Sequence, residues 1–294
     1  MRTNWDNLIE TSVMGEIAHP SIRGRSPYRI TASGEPVVLP ATAGITYNVR
    51  VGDSATRWVA DHLEPAVTIK NPSGEGDTGP NAGLNLLACV GNRARVVSGK
   101  AEDSAGTVTG KHGGAEHVMV DFTREIMEKM VPGDKILVHA NGVGLQLEDY
   151  PEVRLFNTAP ELLDAWGIGE EAGTLRVPVT HRVPAAIMGS GLGQDNAFKG
   201  DYDITLFDEE TVEEYRLDQL RMGDMVAITD TDHRFGRIYK RGFVSIGIVI
   251  HGGSIVAGHG PGVTTLMAGS DELIVPVVDS RANIATMLGL RDDL

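Results

Sequence analysis

The chain has 294 residues, 41% of them hydrophobic, and a formal net charge of -14 at pH 7. That length and that hydrophobic fraction predict a globular protein with a substantial core, in one large domain or two ordinary ones. The acidic balance disfavours a nucleic-acid backbone as partner, and the chain has neither an apolar run of membrane-spanning length nor an N-terminal signal peptide. We therefore expect a cytoplasmic protein without a membrane partner.

Glycine is abundant and aromatic residues are scarce, with 36 glycines against six phenylalanines and three tryptophans. This bias favours many tight turns and strands over helical bundles. The first strands are predicted from Tyr28 to Thr31, from Pro36 to Leu39 and from Ile45 to Val51. The predicted fold class is α+β and β-rich, with two barrel-like β domains and a few short helices.

The segment that follows these strands, Trp58 to Pro65, contains two carboxylates and one imidazole within four positions. Asp61 and His62 are candidate metal ligands, and Glu64 is a candidate proton shuttle, because all three side chains can ligate metal or transfer protons. A solvated loop with a local salt link would have the same composition, so that alternative stays open.

A second candidate segment has two histidines on either side of a glycine pair. His112 and His117 bracket Gly113, Gly114 and Glu116, so both imidazoles would face one cavity if the loop folds back. We predict His112, His117 and Glu116 as catalytic residues. The alternative is a strand followed by a glycine turn, in which each histidine bonds a carbonyl.

The middle of the chain indicates two similar halves. An amphipathic helix is predicted from Phe122 to Met130, followed by a Gly-Asp turn and a strand from Lys135 to Ala140. The same order of helix, Gly-Asp turn and strand returns from Glu213 to Thr229. The polar stretch from Gly167 to Gly173 is the most linker-like segment, so the predicted domains are residues 1–170 and 171–294.

The second half contains a third pair of candidate residues. Asp232 and His233 are predicted to bind a ligand, but Arg234 and Arg237 lie close by in the sequence. The carboxylate could simply be ion-paired with these arginines, which is the alternative interpretation.

The most distinctive stretch runs from Arg241 to Gly269. A buried strand is predicted from Phe243 to Ile250, and His251 follows it directly. Residues 258–262, Gly-His-Gly-Pro-Gly, place three glycines around one imidazole. Such a loop is costly to order, so it indicates either a sharp barrel corner or close approach of a ligand. We predict His259 as a metal ligand and the following residues as ligand-binding: His251, Gly258, Gly260 and Gly262.

Several irregular Gly/His strings occur in one order: GTVTGKHGGAEHV, PGDKILVHANGVGL, GDMVAITDTDHRFGR and IVIHGGSIVAGHGPGVTTLM. In these strings, and over nearly its whole length, the chain resembles the bacterial and archaeal family called domain of unknown function 4438. The resemblance implies a two-part β-rich architecture. The repeated Gly-Asp turns and His/Gly-rich strings also resemble, more faintly, metal-dependent acetamidases and formamidases.

The sequence is consistent with three functions. The first is a metal-assisted hydrolase of a small amide-like or cyclic C–N substrate, with zinc or manganese as the ion. The second is a non-catalytic protein that binds a small ligand or assembles into a homo-oligomer. The third is a metal-free acid-base isomerase or lyase that uses the same histidine and carboxylate pairs.

Overall fold

The computed structural model describes residues 1–20, 27–73 and 78–294. The strands in this part of the chain are β1 (Thr11–Ile17), β2 (Arg29–Ile30), β3 (Pro36–Val37), β4 (Ile45–Thr46), β5 (Ala66–Lys70), β6 (Arg93–Val96), β7 (Ala105–His112), β8 (His117–Asp121), β9 (Lys135–Ala140), β10 (Arg154–Leu155), β11 (Gly169–Glu171), β12 (Thr174–Val179), β13 (His181–Pro184), β14 (Tyr202–Asp203), β15 (Met225–Asp232), β16 (Ile238–His251), β17 (Gly262–Ser270) and β18 (Ile274–Val278). The α-helices are α1 (Gly79–Leu87), α2 (Arg124–Met127), α3 (Pro160–Ala165), α4 (Glu209–Tyr215) and α5 (Ile284–Met287).

The first half forms a closed β-barrel. Strand β1 pairs with β9, and the sheet continues through β6, β7, β8 and β5, which pairs back with β1. The barrel interior is filled by aliphatic side chains such as Val67, Ile69, Val108, Val120 and Val138, all of them fully buried. Closure removes the free edges that an open sheet would expose. The predicted α+β, β-rich class is confirmed.

Strand β1, which closes the barrel, was not predicted from the sequence. Its residues alternate only weakly between buried and exposed positions, with Gly15 and Ile17 as the buried ones. Such a strand lacks the apolar alternation by which strands are recognised in a sequence. Its pairing with β9 over six residues, from Thr11 opposite Ala140 to Glu16 opposite Lys135, is what defines it.

The second half is built on a six-stranded sheet. Strands β10, β17, β16, β15 and β13 lie side by side in that order, and β14 adds to β17. A smaller sheet of β11, β12 and β18 packs beside it, with β12 and β18 parallel. The strand predicted from Lys135 to Ala140 agrees with β9 of the barrel.

The predicted helices are shorter in the structure. The helix expected from Phe122 to Met130 covers only α2, because Phe122 is buried next to the end of β8 and residues 131–134 turn into β9. Across the described ranges, no helix combines the length and the apolar character needed to cross a bilayer.

The two halves pack against each other along β7. This strand contacts both β16 and β17, and Gly110 of β7 lies so close to Ile250 of β16 that a Cβ would overlap the isoleucine. One hydrophobic core includes Met119 of the barrel together with Ile246 and Ile250 of the second sheet. As a result, His112 at the end of β7 lies beside His251 at the end of β16.

Candidate metal centre

Six side chains that can ligate a metal meet where the two halves join. They come from the loop before β5, the end of β7, the region of β14, the end of β16 and the loop before β17. They form two neighbouring trios, the open trio His62, Asp203 and His259, and the buried trio His112, Asp201 and His251. Within each trio the ligand-forming atoms all lie within 4.8 Å of one another.

The open trio has the spacing of a metal site. His62 Nε2 lies 3.0 Å from His259 Nδ1 and 3.8 Å from Asp203 Oδ2, and His259 Nδ1 lies 2.7 Å from the same oxygen. Atoms bound tetrahedrally to one zinc ion at ~2.1 Å are about 3.4 Å apart. His259 is the more exposed member, and its side chain is 32% accessible.

The buried trio lies directly behind the open one. The rings of His112 and His251 are 4.4 Å apart, and His62 of the open trio is 5.1 Å from His251. His251 Nε2 approaches Asp201 Oδ2 at 3.0 Å and Asp203 Oδ1 at 3.4 Å. All three members of this trio are buried. The two trios are therefore close enough to act as one centre.

Asp61 orients His62 from outside the trio. Its Oδ1 lies 3.2 Å from His62 Nδ1 and accepts a 2.6 Å hydrogen bond from the Ser254 hydroxyl, while Arg29 pairs with Oδ2. This leaves His62 Nε2 to face Asp203 and His259. His62 itself has a left-handed backbone with φ 54°, which is costly for a residue other than glycine.

Glu64 performs the same role for the histidines of the β7–β8 turn. Its Oε1 accepts from His112 Nδ1 at 2.6 Å and from His117 Nδ1 at 3.0 Å. The Ala43 amide and the Thr68 hydroxyl donate to Oε2 at 2.7 and 2.6 Å. A carboxylate on the far nitrogen of a ligating histidine fixes its tautomer and raises its basicity. His112 Nε2 is thereby turned toward Asp201 and His251, the other two members of the buried trio.

His251 is held by the backbone. Its Nδ1 donates to the carbonyl of Gly252 at 2.7 Å, so that Nε2 points toward Asp201 and Asp203 and is the atom available to an ion once its proton is displaced. Nε2 is buried and makes no hydrogen bond within the described part of the chain, although two carboxylates lie near it. Gly262 makes room for this arrangement, because a Cβ there would overlap His251 Nε2 and Asp201 Oδ2.

Charge interactions control ionisation throughout the cluster. Burial alone would raise the pKa of Glu64 and Asp203, but the neighbouring imidazoles outweigh it and hold both carboxyls well below their ordinary pKa. Burial alone would lower the pKa of His251, yet Asp201 and Asp203 raise it well above its ordinary value. His251 therefore supplies positive charge between the two aspartates when no ion is bound.

The open trio forms part of the wall of a cavity of about 660 Å³. Polar residues that line the same cavity include Ser190, Gln194, Asn196 and Glu116. This volume lies in the range of pockets that enclose small molecules.

Most of the residues predicted from the sequence come together here. His62 and His259 are in direct contact, and His112 and His251 are neighbours in the buried trio. Asp61 does not belong to either trio, in contrast to the prediction that it ligates the metal together with His62. It contacts His62 from behind because its oxygens are occupied by Ser254, Arg29 and His62 Nδ1.

The predicted glycines allow chain segments to approach closely. Gly258 has φ 77°, and its carbonyl accepts from the Ser190 amide at 2.8 Å. A Cβ on Gly260 would overlap the carbonyl oxygen of Ile204. These glycines bring the loop that carries His259 against the segment that carries Asp203.

Asp232 and His233 make their contacts elsewhere. Asp232 pairs with Arg234 and Lys240, as the ion-pair alternative anticipated, and these contacts lower its pKa to about 2 against the effect of burial. His233 Nδ1 bonds the Thr265 hydroxyl at 2.9 Å. Neither side chain belongs to the two trios.

Sequence reasoning missed Asp201 and Asp203 as site residues. Asp201 and Asp203 lie on either side of Tyr202 at β14, and residues two apart in a strand point to the same face. Tyr202 is turned into the core, so both carboxylates face the histidines. Two acids at this spacing at the start of a strand were the available signal.

Comparisons with known proteins support one family. "Domain of unknown function (DUF4438), N-terminal" matches residues 28–164, and "Domain of unknown function (DUF4438), C-terminal" matches residues 165–288. A solved structure entitled "Crystal structure of TM1086" is 45% identical, with a TM-score of 0.91 over 97% of this chain and 98% of that one. A search of curated proteins gives no match. The resemblance seen in the Gly/His strings is confirmed, and the chain belongs to the domain of unknown function 4438 family.

Proposed function

We propose that the protein is a metal-dependent hydrolase of a small molecule with an amide-like or cyclic C–N bond. The observation that carries this proposal is the convergence of His62 Nε2, His259 Nδ1 and Asp203 Oδ2 at the wall of the 660 Å³ cavity. Nitrogen and carboxylate ligands suit zinc or manganese. A divalent ion at such a site supplies Lewis acidity that polarises a carbonyl and makes water a nucleophile near neutral pH.

The ligands are held before any ion binds. Asp61 and Glu64 fix the tautomers of His62 and His112, each through its Nδ1. This arrangement argues against the non-catalytic alternative. A histidine with a purely structural role needs a hydrogen-bond partner, but its second ring nitrogen need not point at other metal-ligating atoms.

Glu116 is the better of the two predicted proton shuttles. All the hydrogen-bonding capacity of the Glu64 carboxylate is used by two imidazoles, an amide and a hydroxyl. Glu116 is half-buried on the cavity wall, and its Oε1 accepts a single 3.2 Å bond from the Gly114 amide. Its carboxylate can therefore hold or release a proton beside a substrate.

The amide-like substrate class rests on chemistry and size. Ser190, Gln194 and Asn196 offer neutral donors and acceptors, which suit a polar uncharged group. The resemblance to acetamidases and formamidases points to the same class and stays a prediction, as does a cytoplasmic location.

The test is to purify the protein without a His-tag and assay it against a panel of linear and cyclic amides. We expect hydrolysis that a chelator abolishes and that zinc or manganese restores. Hydrolysis that is insensitive to chelation would remove the metal from the mechanism and leave acid-base catalysis by the same side chains. No hydrolysis of any amide by metal-loaded protein would overturn the proposed substrate class.

The variant Glu116→Gln tests the proton shuttle without changing a proposed metal ligand. We expect kcat to fall by about 10²- to 10⁴-fold with the metal content unchanged, since the variant removes only proton transfer. Glu125→Gln, an exposed glutamate of α2, is the matched control and should keep the wild-type rate. An unchanged kcat in Glu116→Gln would remove Glu116 from the mechanism.

A further inference from the structure

We infer that the buried trio holds a second divalent ion, that Asp203 bridges the two ions, and that the buried ion is the more tightly held. The inference deepens the proposed function and rests on it for the role of the open ion. Its tests read metal binding directly and do not require a substrate.

The first argument is the position of Asp203 between the trios. Its Oδ2 is 2.7 Å from His259 Nδ1, and its Oδ1 is 3.4 Å from His251 Nε2. Each oxygen therefore faces a different trio. A carboxylate placed in this way can bridge two ions at the ~3.5–4 Å separation typical of two-metal sites.

The second argument is the position of His251 Nε2. This side chain is completely buried, its Nδ1 is bonded to the Gly252 carbonyl, and its Nε2 lacks a hydrogen bond among the described residues. An unsatisfied buried nitrogen is costly. The close approaches to Asp201 and Asp203 lie off the hydrogen-bond direction, as expected for three ligands that point at a common ion.

The third argument is charge. Asp201 and Asp203 are buried beside each other, and in the described ranges no lysine or arginine side chain pairs with either carboxylate. Arg237 is near, but it donates to the backbone carbonyl of Asp201. Adjacent buried carboxylates need compensating positive charge, and the group that faces both of them is His251, whose Nε2 proton a divalent ion can replace. One ion in the open trio reaches only one Asp203 oxygen.

The two positions differ in access. His112 and Asp201 line the cavity as His62 and Asp203 do, so the difference lies in the histidine that completes each trio. His251 is fully buried, whereas the side chain of His259 is about one-third exposed. We therefore expect slow exchange of the buried ion and fast exchange of the open one.

The first experiment counts Mn²⁺ ions per chain on tag-free protein, before and after brief chelation. We expect wild type to bind two ions and to retain one after brief chelation, and His259→Ala to bind one ion that chelation removes slowly. Asp201→Asn, which keeps the shape of the side chain, should lose the slowly exchanging ion. His233→Ala is the matched control, a buried histidine outside both trios, and should still bind two.

The second experiment records the electron paramagnetic resonance spectrum of the Mn²⁺-loaded chain. Two ions on one bridging carboxylate should give an exchange-coupled spectrum, and His259→Ala should give that of an isolated ion. Saturation at one ion per chain, or loss of the same ion in Asp201→Asn and His259→Ala, would refute the second site. If two coupled ions bind but no amide is hydrolysed, only the proposed function fails.

Discussion

At the scale of single residues, the centre depends on groups that never touch the proposed ions. Glu64 receives four donors, from Ala43, Thr68, His112 and His117. A carboxylate with two acceptor oxygens can satisfy all of them, whereas an amide cannot. The orientation of His112 therefore depends on the buried negative charge of the Glu64 carboxylate.

Glu64→Gln tests this dependence. The NH₂ group of the glutamine would face groups that themselves donate hydrogen bonds. Loss of the negative charge would also make the His112 imidazole less basic and therefore a poorer metal ligand. We expect the affinity for Mn²⁺ to fall about 10- to 100-fold, measured by calorimetry. Glu116→Gln should bind Mn²⁺ as wild type does. Equal affinities in all three proteins would show that Glu64 does not support the ligands.

The close contacts of Gly262 lead to a second prediction for a single residue. Its missing Cβ leaves the space that Asp201 Oδ2 and His251 Nε2 occupy. We expect Gly262→Ala to lose the slowly exchanging ion and to lower the melting temperature of the metal-free protein. Gly83→Ala is the control, because a Cβ there meets nothing within 4 Å and replaces glycine in α1, a gain of about 0.5–1 kcal/mol.

At the scale of elements, the centre is built from strand ends. His112 ends β7, Asp203 ends β14 and His251 ends β16, and β7 packs directly across β16. Strand interiors are committed to the core, so their ends are where polar side chains can converge. His233, just after β15, shows the other outcome, since it is buried against Thr265 of β17 and the ring of Tyr202.

His233 makes the stability of the second sheet depend on pH. Burial, reinforced by the charge of Arg237, lowers the pKa of His233 to about 3 from an ordinary value of 6.5. Below pH 6.5 the unfolded chain binds a proton that the folded chain does not, so the free energy of unfolding falls as the pH decreases from 6.5 to 3.

Between pH 7 and pH 5 this one residue should remove about 2 kcal/mol from the free energy of unfolding. His233→Gln lacks the titration and should show a correspondingly smaller loss. Urea unfolding of both proteins at the two pH values measures the difference, in which contributions from other groups cancel. The same loss in both proteins would mean that His233 is protonated in the folded state.

At the scale of the whole molecule, the centre joins the two halves of the chain. His62 and His112 belong to the barrel half, and Asp201, Asp203, His251 and His259 to the other. The halves also share a hydrophobic core. The domain boundary after residue 170 stays a prediction, as does a homo-oligomer.

Because the proposed ligands come from both halves, metal should stabilise the chain as a unit. At a free concentration 100 times the Kd, one ion adds about 2.7 kcal/mol, which corresponds to a rise of several degrees in Tm. Calorimetry should show one transition that moves up with Mn²⁺ and down with a chelator. An unchanged Tm would argue against both metal sites.

The sequence by itself determined the class of fold and most of the chemistry. Glycine content and short apolar runs predict a β-rich protein, and strands such as Lys135–Ala140 follow from local pattern alone. Histidines at strand ends and in glycine loops identified His62, His112, His251 and His259, because imidazole is rare enough to be noticed wherever it occurs.

Only the tertiary structure decided which of these residues meet and in which role. Closure of the barrel through β1, and the packing of β7 across β16, are long-range pairings that no local pattern encodes. Asp61 became a partner of His62, while Asp203 became a candidate ligand between the trios. The physical reason is that an aspartate is the same residue in the sequence whether it binds a metal or orients a histidine. Only its distance and direction from the other side chains in the folded chain distinguish the two roles.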